Sequence, residues 1–127
     1  MSELAKIDAM PTIGVKDLKV ARKFYEQTLG FKPIPSKEEG VVGYKSGNTT
    51  ILVYPSTFAG TNKATAVTWA VGDALEKIVD ALKAKGVKFE HYDFPGTTRK
   101  GDIHIAGKTR NAWFKDPDGN ILSIVNG

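Results

Sequence analysis

The sequence contains no cysteine among its 127 residues. Disulfides and thiolate metal sites are thereby excluded. No apolar run approaches membrane-spanning length, so no membrane partner is expected. The segment Met1 to Met10 lacks a long apolar core and carries both signs of charge. That reads against a secretory leader and points to the cytoplasm. No serine or cysteine stands in a nucleophile elbow, and no glycine-rich phosphate loop is present. Histidine is scarce, with two in the chain. What remains is an ordinary globular composition, 41% hydrophobic and 25% charged. The length is that of a single domain, 1–127, able to bury a core without staples.

Formal net charge is +4, and much of it lies between Thr97 and Arg110. There Arg99, Lys100, Lys108 and Arg110 oppose only Asp102. A nucleic-acid binder usually spreads basic residues along a helix or a whole face. One basic loop suits an anionic small ligand or a solvated surface, so no nucleic-acid partner is expected.

Leu18, Ala21, Phe24, Tyr25 and Leu29 recur at helical spacing. Asp17 is placed to cap that helix and Gly30 to end it. Strands are predicted at Ile7 to Val15, Phe31 to Pro35, Val41 to Ser46 and Thr49 to Tyr54. Gly47-Asn48 reads as a two-residue hairpin turn. The second half repeats this order. A strand at Ala64 to Val71 precedes a helix with Leu75, Ile78, Val79 and Leu82 as its stripe, capped by Asp73 and closed by Gly86. Strands at Val87 to Tyr92, Arg110 to Lys115 and Asn120 to Val125 follow. The last two flank a tight turn, Asp116 to Gly119.

Val15 and Val71, Asp17 and Asp73, and Gly30 and Gly86 are each 56 residues apart. Ile51-Leu52 matches Ile121-Leu122 at an offset of 70. The pattern is a duplicated βαβββ unit, module one at about 5–56 and module two at about 64–127. The second copy carries about 14 extra residues, the basic segment among them. The fold class is α+β.

Val15-Lys16-Asp17-Leu18, Phe24-Tyr25 and Leu29-Gly30-Phe31 resemble the opening of the glyoxalase, bleomycin-resistance and extradiol-dioxygenase superfamily, the vicinal oxygen chelate superfamily. Trp113 to Asn120 resembles its closing hairpin, and Val71-Gly72-Asp73 the opening of its second module. The resemblance implies two modules curving into a mixed-sheet cup, helices outside and ligand within. It also implies four metal-ligand positions, here Met10, Val53, Ala66 and Ser123. None supplies imidazole or carboxylate, and a one-residue slip supplies none either. No metal and no cofactor are therefore expected.

Strand side chains alternate between faces. With Val53 and Ser123 turned inward, Ile51, Tyr44, Phe114 and Arg110 follow them, and Thr12 and Thr68 join Met10 and Ala66. The expected ligand contacts are Met10, Thr12, Tyr44, Val53, Thr68, Tyr92, His104, Arg110, Phe114 and Ser123. Trp69, Trp113 and Tyr54 are read as core, and His91 as a strand-end structural residue. His104 is the candidate catalytic group, with an exposed loop histidine as the plain alternative.

The expected function is metal-free binding of an organic ligand, aromatic or anionic, by a homodimer, the dimer being implied by the resemblance. The alternative is a lyase or isomerase with a non-standard or metal-free acid-base site built from His104, Tyr44 and Arg110. A third reading is a protein-interaction module on the same scaffold.

Overall fold

The computed structural model describes residues 3–35 and 40–127. Contact density divides the chain into two compact units, Met1–Thr61 and Asn62–Gly127. The first runs β-α-β-β-β and the second β-α followed by five strands, and the chain is α+β.

In the first unit a short 3-10 turn, Glu3–Lys6, precedes β1 (Thr12–Val15) and α1 (Leu18–Arg22). The Asp17 carboxylate accepts the Lys19 N–H at 2.9 Å, capping α1 as its sequence position suggests. The helix does not run evenly to Gly30. Lys23–Thr28 widens into a π-helical stretch, with the Leu29 N–H reaching the Phe24 carbonyl at 2.9 Å. Then come β2 (Pro33–Ile34), β3 (Val42–Ser46) and β4 (Thr49–Pro55), in sheet order β1-β4-β3-β2. The hairpin pairs Ser46 with Thr49 and Tyr44 with Ile51, as two turn residues require.

Buried Ile13, Val15, Val42, Tyr44, Ile51 and Val53 form the helix-facing side of this sheet. Tyr44 stacks on Tyr25 at 5.9 Å and donates its hydroxyl to Glu26 at 2.8 Å. Burial, with the Glu26 carboxylate beside it, raises the Tyr44 hydroxyl well above the ordinary phenol range. Glu26 is held below the usual carboxylate range, first by the hydrogen bond from Arg22.

The second unit holds β5 (Thr65–Ala70), a 3-10 turn Gly72–Ala74, and α2 (Leu75–Ala84). Asp73 is not the cap expected of it. It lies inside the 3-10 turn, and α2 begins without a side-chain cap. Gly86, at φ +92°, ends α2 as expected. The Val87 N–H returns to the Leu82 carbonyl and that of Gly86 to Lys83, the paired bonds of a Schellman motif. β6 (Phe89–Glu90), β7 (Thr98–Lys100), β8 (Ile103–Ala106), β9 (Thr109–Lys115) and β10 (Ile121–Val125) complete the unit. Sheet order is β5-β10-β9-β8-β7, with β6 also on β9. The basic insertion is thus the β7-β8 hairpin.

Two local features set which side chains face α2. The turn between β9 and β10 spans Asp116–Asn120 and pairs Lys115 with Ile121, one residue longer than the expected turn. In β5, Ala66 is an extra residue: Ile121 pairs with Thr65, but Leu122 with Val67. As a result Val67, Ala112, Phe114, Leu122 and Ile124 are buried on the α2 side with Leu75 and Val79.

Candidate functional site

The face of the second sheet turned away from α2 collects Thr68 of β5, Ser123 of β10, Asn111 and Trp113 of β9, and His104 of β8. The registers Ser123–Thr68, Ser123–Trp113 and His104–Asn111 place them side by side. Tyr92 and Phe94, just beyond β6, complete the cluster.

Trp113 is its centre. Its ring lies 4.9 Å from His104, 5.4 Å from Tyr92 and 5.6 Å from Phe94, steeply inclined to each. Edge-to-face geometry of this kind is favourable for aromatic quadrupoles. The indole N–H donates to Thr65 Oγ1 at 3.3 Å. Beside it Ser123 Oγ donates to Asn111 Oδ1 at 2.8 Å. Phe94 opens a turn whose Pro95-Gly96 centre, Gly96 at φ +74° and Thr97 N–H to Phe94 carbonyl bond have the type II signature.

Two polar atoms in this cluster have no partner among the described residues: the Tyr92 hydroxyl and His104 Nδ1. His104 is only 2% exposed, which corrects the picture of an exposed loop histidine. Its Nε2 accepts the Tyr92 backbone N–H at 2.9 Å, so the ring proton resides on Nδ1. Burial raises the Tyr92 hydroxyl, and the Glu90 carboxylate adds to the shift. Each buried donor without an acceptor costs about 1–3 kcal/mol.

The ten expected contacts do not form one surface. Thr68, Tyr92, His104 and Ser123 come together. Arg110 and Phe114 face α2 instead, because the longer Asp116–Asn120 turn inverts the parity of β9. Arg110 pairs with Glu76 of α2, and Phe114 is buried against Phe89 at 5.6 Å. Trp113, read as core from sequence, takes the opposite face. In the first unit Tyr44 and Val53 are buried on the helix side, whereas Thr12 pairs with Leu52 on the other. Met10 precedes β1 and is 54% exposed. Sequence reasoning missed Trp113, Asn111 and Phe94. The signal was in the turn, since one residue more reverses every side chain of the strand before it.

The positions that would hold a metal do not suit one. Val53 is turned to the helix side, and its neighbours on the other side are Leu52 and Tyr54. With Met10, Thr12, Ala66, Thr68 and Ser123 they offer thioether, hydroxyl and aliphatic groups. These lack the imidazole or carboxylate donors of a divalent site. Among the described residues no three His, Asp or Glu side chains cluster as a metal site.

A second polar cluster lies beside a cleft of about 220 Å³ between α2 and the β7-β8 hairpin. Asp102 accepts from His91 Nε2 at 2.8 Å and pairs with Lys83 of α2 at 2.7 Å. Arg99 closes the turn on the Gly101 carbonyl at 3.0 Å. The Lys83 hydrogen bond, then that of His91, holds the Asp102 carboxyl below its ordinary value. A carboxylate depressed by folding adds stability above its unfolded pKa and loses it as pH falls through the folded one. Asp102→Asn is therefore expected to lower Tm by about 3–6 °C at pH 7. The gap from wild type should narrow as pH falls from 7 into the range where the Asp102 carboxyl takes up its proton. Thermal melts across that range check it, and a gap unchanged in acid would refute it.

Comparison with known proteins places this geometry in a family. The profile of the Glyoxalase/Bleomycin resistance protein/Dioxygenase superfamily matches residues 7–124, and the chain belongs to that superfamily. Among solved structures the chain is similar to TnmS3, an antibiotic binding protein from Streptomyces sp. CB03234. Identity is 19%, coverage 93% of this chain and 94% of that one, and TM-score 0.64. The fosfomycin resistance protein FosX from Mesorhizobium loti matches at 11% identity, covering 95% and 91%, with TM-score 0.65. A glyoxalase family protein from Enterococcus faecalis matches at 16%, covering 96% and 98%, with TM-score 0.72. Likeness at these identities establishes the fold alone. No curated protein matches the sequence. Among the described residues no helix is long and apolar enough to cross a membrane.

Proposed function

We propose that this protein binds a planar, partly aromatic organic molecule without a metal, on the face of the second sheet centred on Trp113. The observation that carries this reading is the ring cluster of Trp113, Tyr92, Phe94 and His104 around two buried polar atoms that lack partners. Aromatic walls with a few placed polar groups are the ordinary make-up of a small-molecule site. Thr68 and Ser123 are the hydroxyl-bearing members of the same face. The antibiotic-binding and resistance names of two fold relatives fit sequestration of such a compound. The same reading takes the protein to be a cytoplasmic homodimer.

The acid-base alternative finds no common site. His104 and Arg110 stand on opposite faces of one sheet, paired with Asn111 and Ile105 respectively.

A Trp69→Phe background leaves Trp113 as the sole tryptophan. Planar aromatic compounds are expected to change its fluorescence saturably in that background. Calorimetry on otherwise wild-type protein should give affinities at least tenfold weaker for Trp113→Ala. Native mass spectrometry of protein purified without chelators should report two subunits and no metal. Stoichiometric zinc, iron, manganese or nickel would overturn the metal-free assignment. Unchanged affinity in Trp113→Ala would move the ligand off this face.

A further inference from the structure

We infer that the ligand of the Trp113 face carries a hydrogen-bond acceptor on its ring system, a ketone or quinone-type carbonyl oxygen, which receives the Tyr92 hydroxyl and His104 Nδ1–H. This rests on the proposed aromatic site and narrows it to a chemical class.

The argument begins with what each atom can do. Nε2 of His104 is already engaged as an acceptor from the Tyr92 N–H at 2.9 Å, so Nδ1 is left with a proton to give. The Tyr92 hydroxyl can donate or accept, and it keeps the proton with which it donates. Burial and the nearby Glu90 carboxylate both work against forming the phenolate. Both atoms are buried and lack partners among the described residues, although the great majority of buried polar groups in folded proteins are paired. Both belong to one cluster, with the Tyr92 and His104 rings 6.2 Å apart.

A ligand that offered only apolar surface would leave both donors unmet. A cationic ligand would bring a further donor to the His104 Nδ1–H, which cannot accept it. A carbonyl oxygen has two lone pairs and can meet both. The flat ring that bears it has Trp113 to pack against. Phe94 forms the exposed edge of this place, with its ring 5.8 and 5.6 Å from Tyr92 and Trp113 and 47% of it exposed. A ring entering beside it takes up contacts that Phe94 now makes.

The matched pair 1-indanone and indane separates the carbonyl from the ring. Isotope-labelled protein is titrated with each, reading the Trp113 indole N–H and the His104 Nδ1–H resonances. Indanone is expected to bind at least tenfold more tightly than indane and alone to move the His104 signal. Tyr92→Phe keeps the ring and removes the hydroxyl. It is expected to reduce the discrimination to about threefold, with amide shifts outside the site unchanged as the report that the fold is intact. Equal Kd values for the two compounds in wild type would overturn the acceptor inference and leave the aromatic site standing. Full discrimination retained in Tyr92→Phe would remove Tyr92 from the inference. No Trp113 shift with either compound would overturn the inference together with the site it rests on.

Discussion

Phe114→Ala is expected to destabilise the protein by about 3–5 kcal/mol, the range for emptying a buried phenylalanine site. Phe114 is 1% exposed, pairs across the sheet with Leu122 and Phe89, and meets the Phe89 ring at 5.6 Å. Its face is the one that α2 covers with Leu75 and Val79. Its partners across the strands, Leu122 and Phe89, are apolar, so the cavity term adds to the lost transfer energy. Total stabilities of domains lie at about 5–15 kcal/mol, so the variant forfeits a large share. Urea denaturation reads the loss as a lower midpoint at unchanged slope. Were Phe114 a ligand contact on an open face, the variant would lose affinity and little stability. A loss under about 1 kcal/mol would therefore reinstate the parity expected from sequence.

That parity is the point where sequence reasoning and structure part. The elements themselves were legible because each rests on local chemistry. Asp17 caps a helix through its own side chain, Gly86 supplies a positive φ, and Gly47-Asn48 sets a two-residue hairpin. None of these depends on a distant residue. Facing does depend on one. Val53 and Ser123, 70 residues apart, are equivalent by the sequence repeat, but Val53 faces its helix and Ser123 faces away from its own. The repeat offset is 70 between β3 and β9, where Tyr44 corresponds to Phe114. It becomes 71 between β4 and β10, where Val53 corresponds to Ile124. The added residue lies in the Asp116–Asn120 turn. A period of two makes such a slip total: it exchanges Arg110, Ala112 and Phe114 for Asn111 and Trp113 as the outward set. Ala66 does the same to one end of β5. The candidate site was legible in part, through Thr68, Tyr92, His104 and Ser123. Its central indole was assigned to the wrong side because turn length is fixed by hydrogen bonds that composition does not reveal.

Those hydrogen bonds make Asp116 the second residue on which much depends. Asp116 is 4% exposed. One oxygen accepts the backbone N–H groups of Asp118 and Asn120 at 3.0 and 2.9 Å, and the other accepts Asn120 Nδ2 at 2.8 Å. Gly119, at φ +91°, lets the chain turn back so that its N–H reaches the Asp116 carbonyl at 3.0 Å. Asp116→Ala would strip these three donors of a charged acceptor, in a turn whose Asn120 is also buried. Hydrogen bonds to charged groups contribute about 1.5–3 kcal/mol each and do not add fully, so a loss of about 3 kcal/mol is expected. Asn120→Ala removes the side-chain bond to the second oxygen, leaves both backbone N–H donors on the carboxylate, and should cost about 1 kcal/mol. Chemical denaturation of the two variants checks the ranking. A register readout goes with it, since amide cross-peaks between β9 and β10 should keep Trp113 opposite Ser123 in Asn120→Ala. In Asp116→Ala the turn has lost what holds it at five residues, and line broadening is expected along β9 and β10. Equal stability in Asp116→Ala and wild type would mean that the strands, and not this carboxylate, set the turn and with it the face on which Trp113 stands.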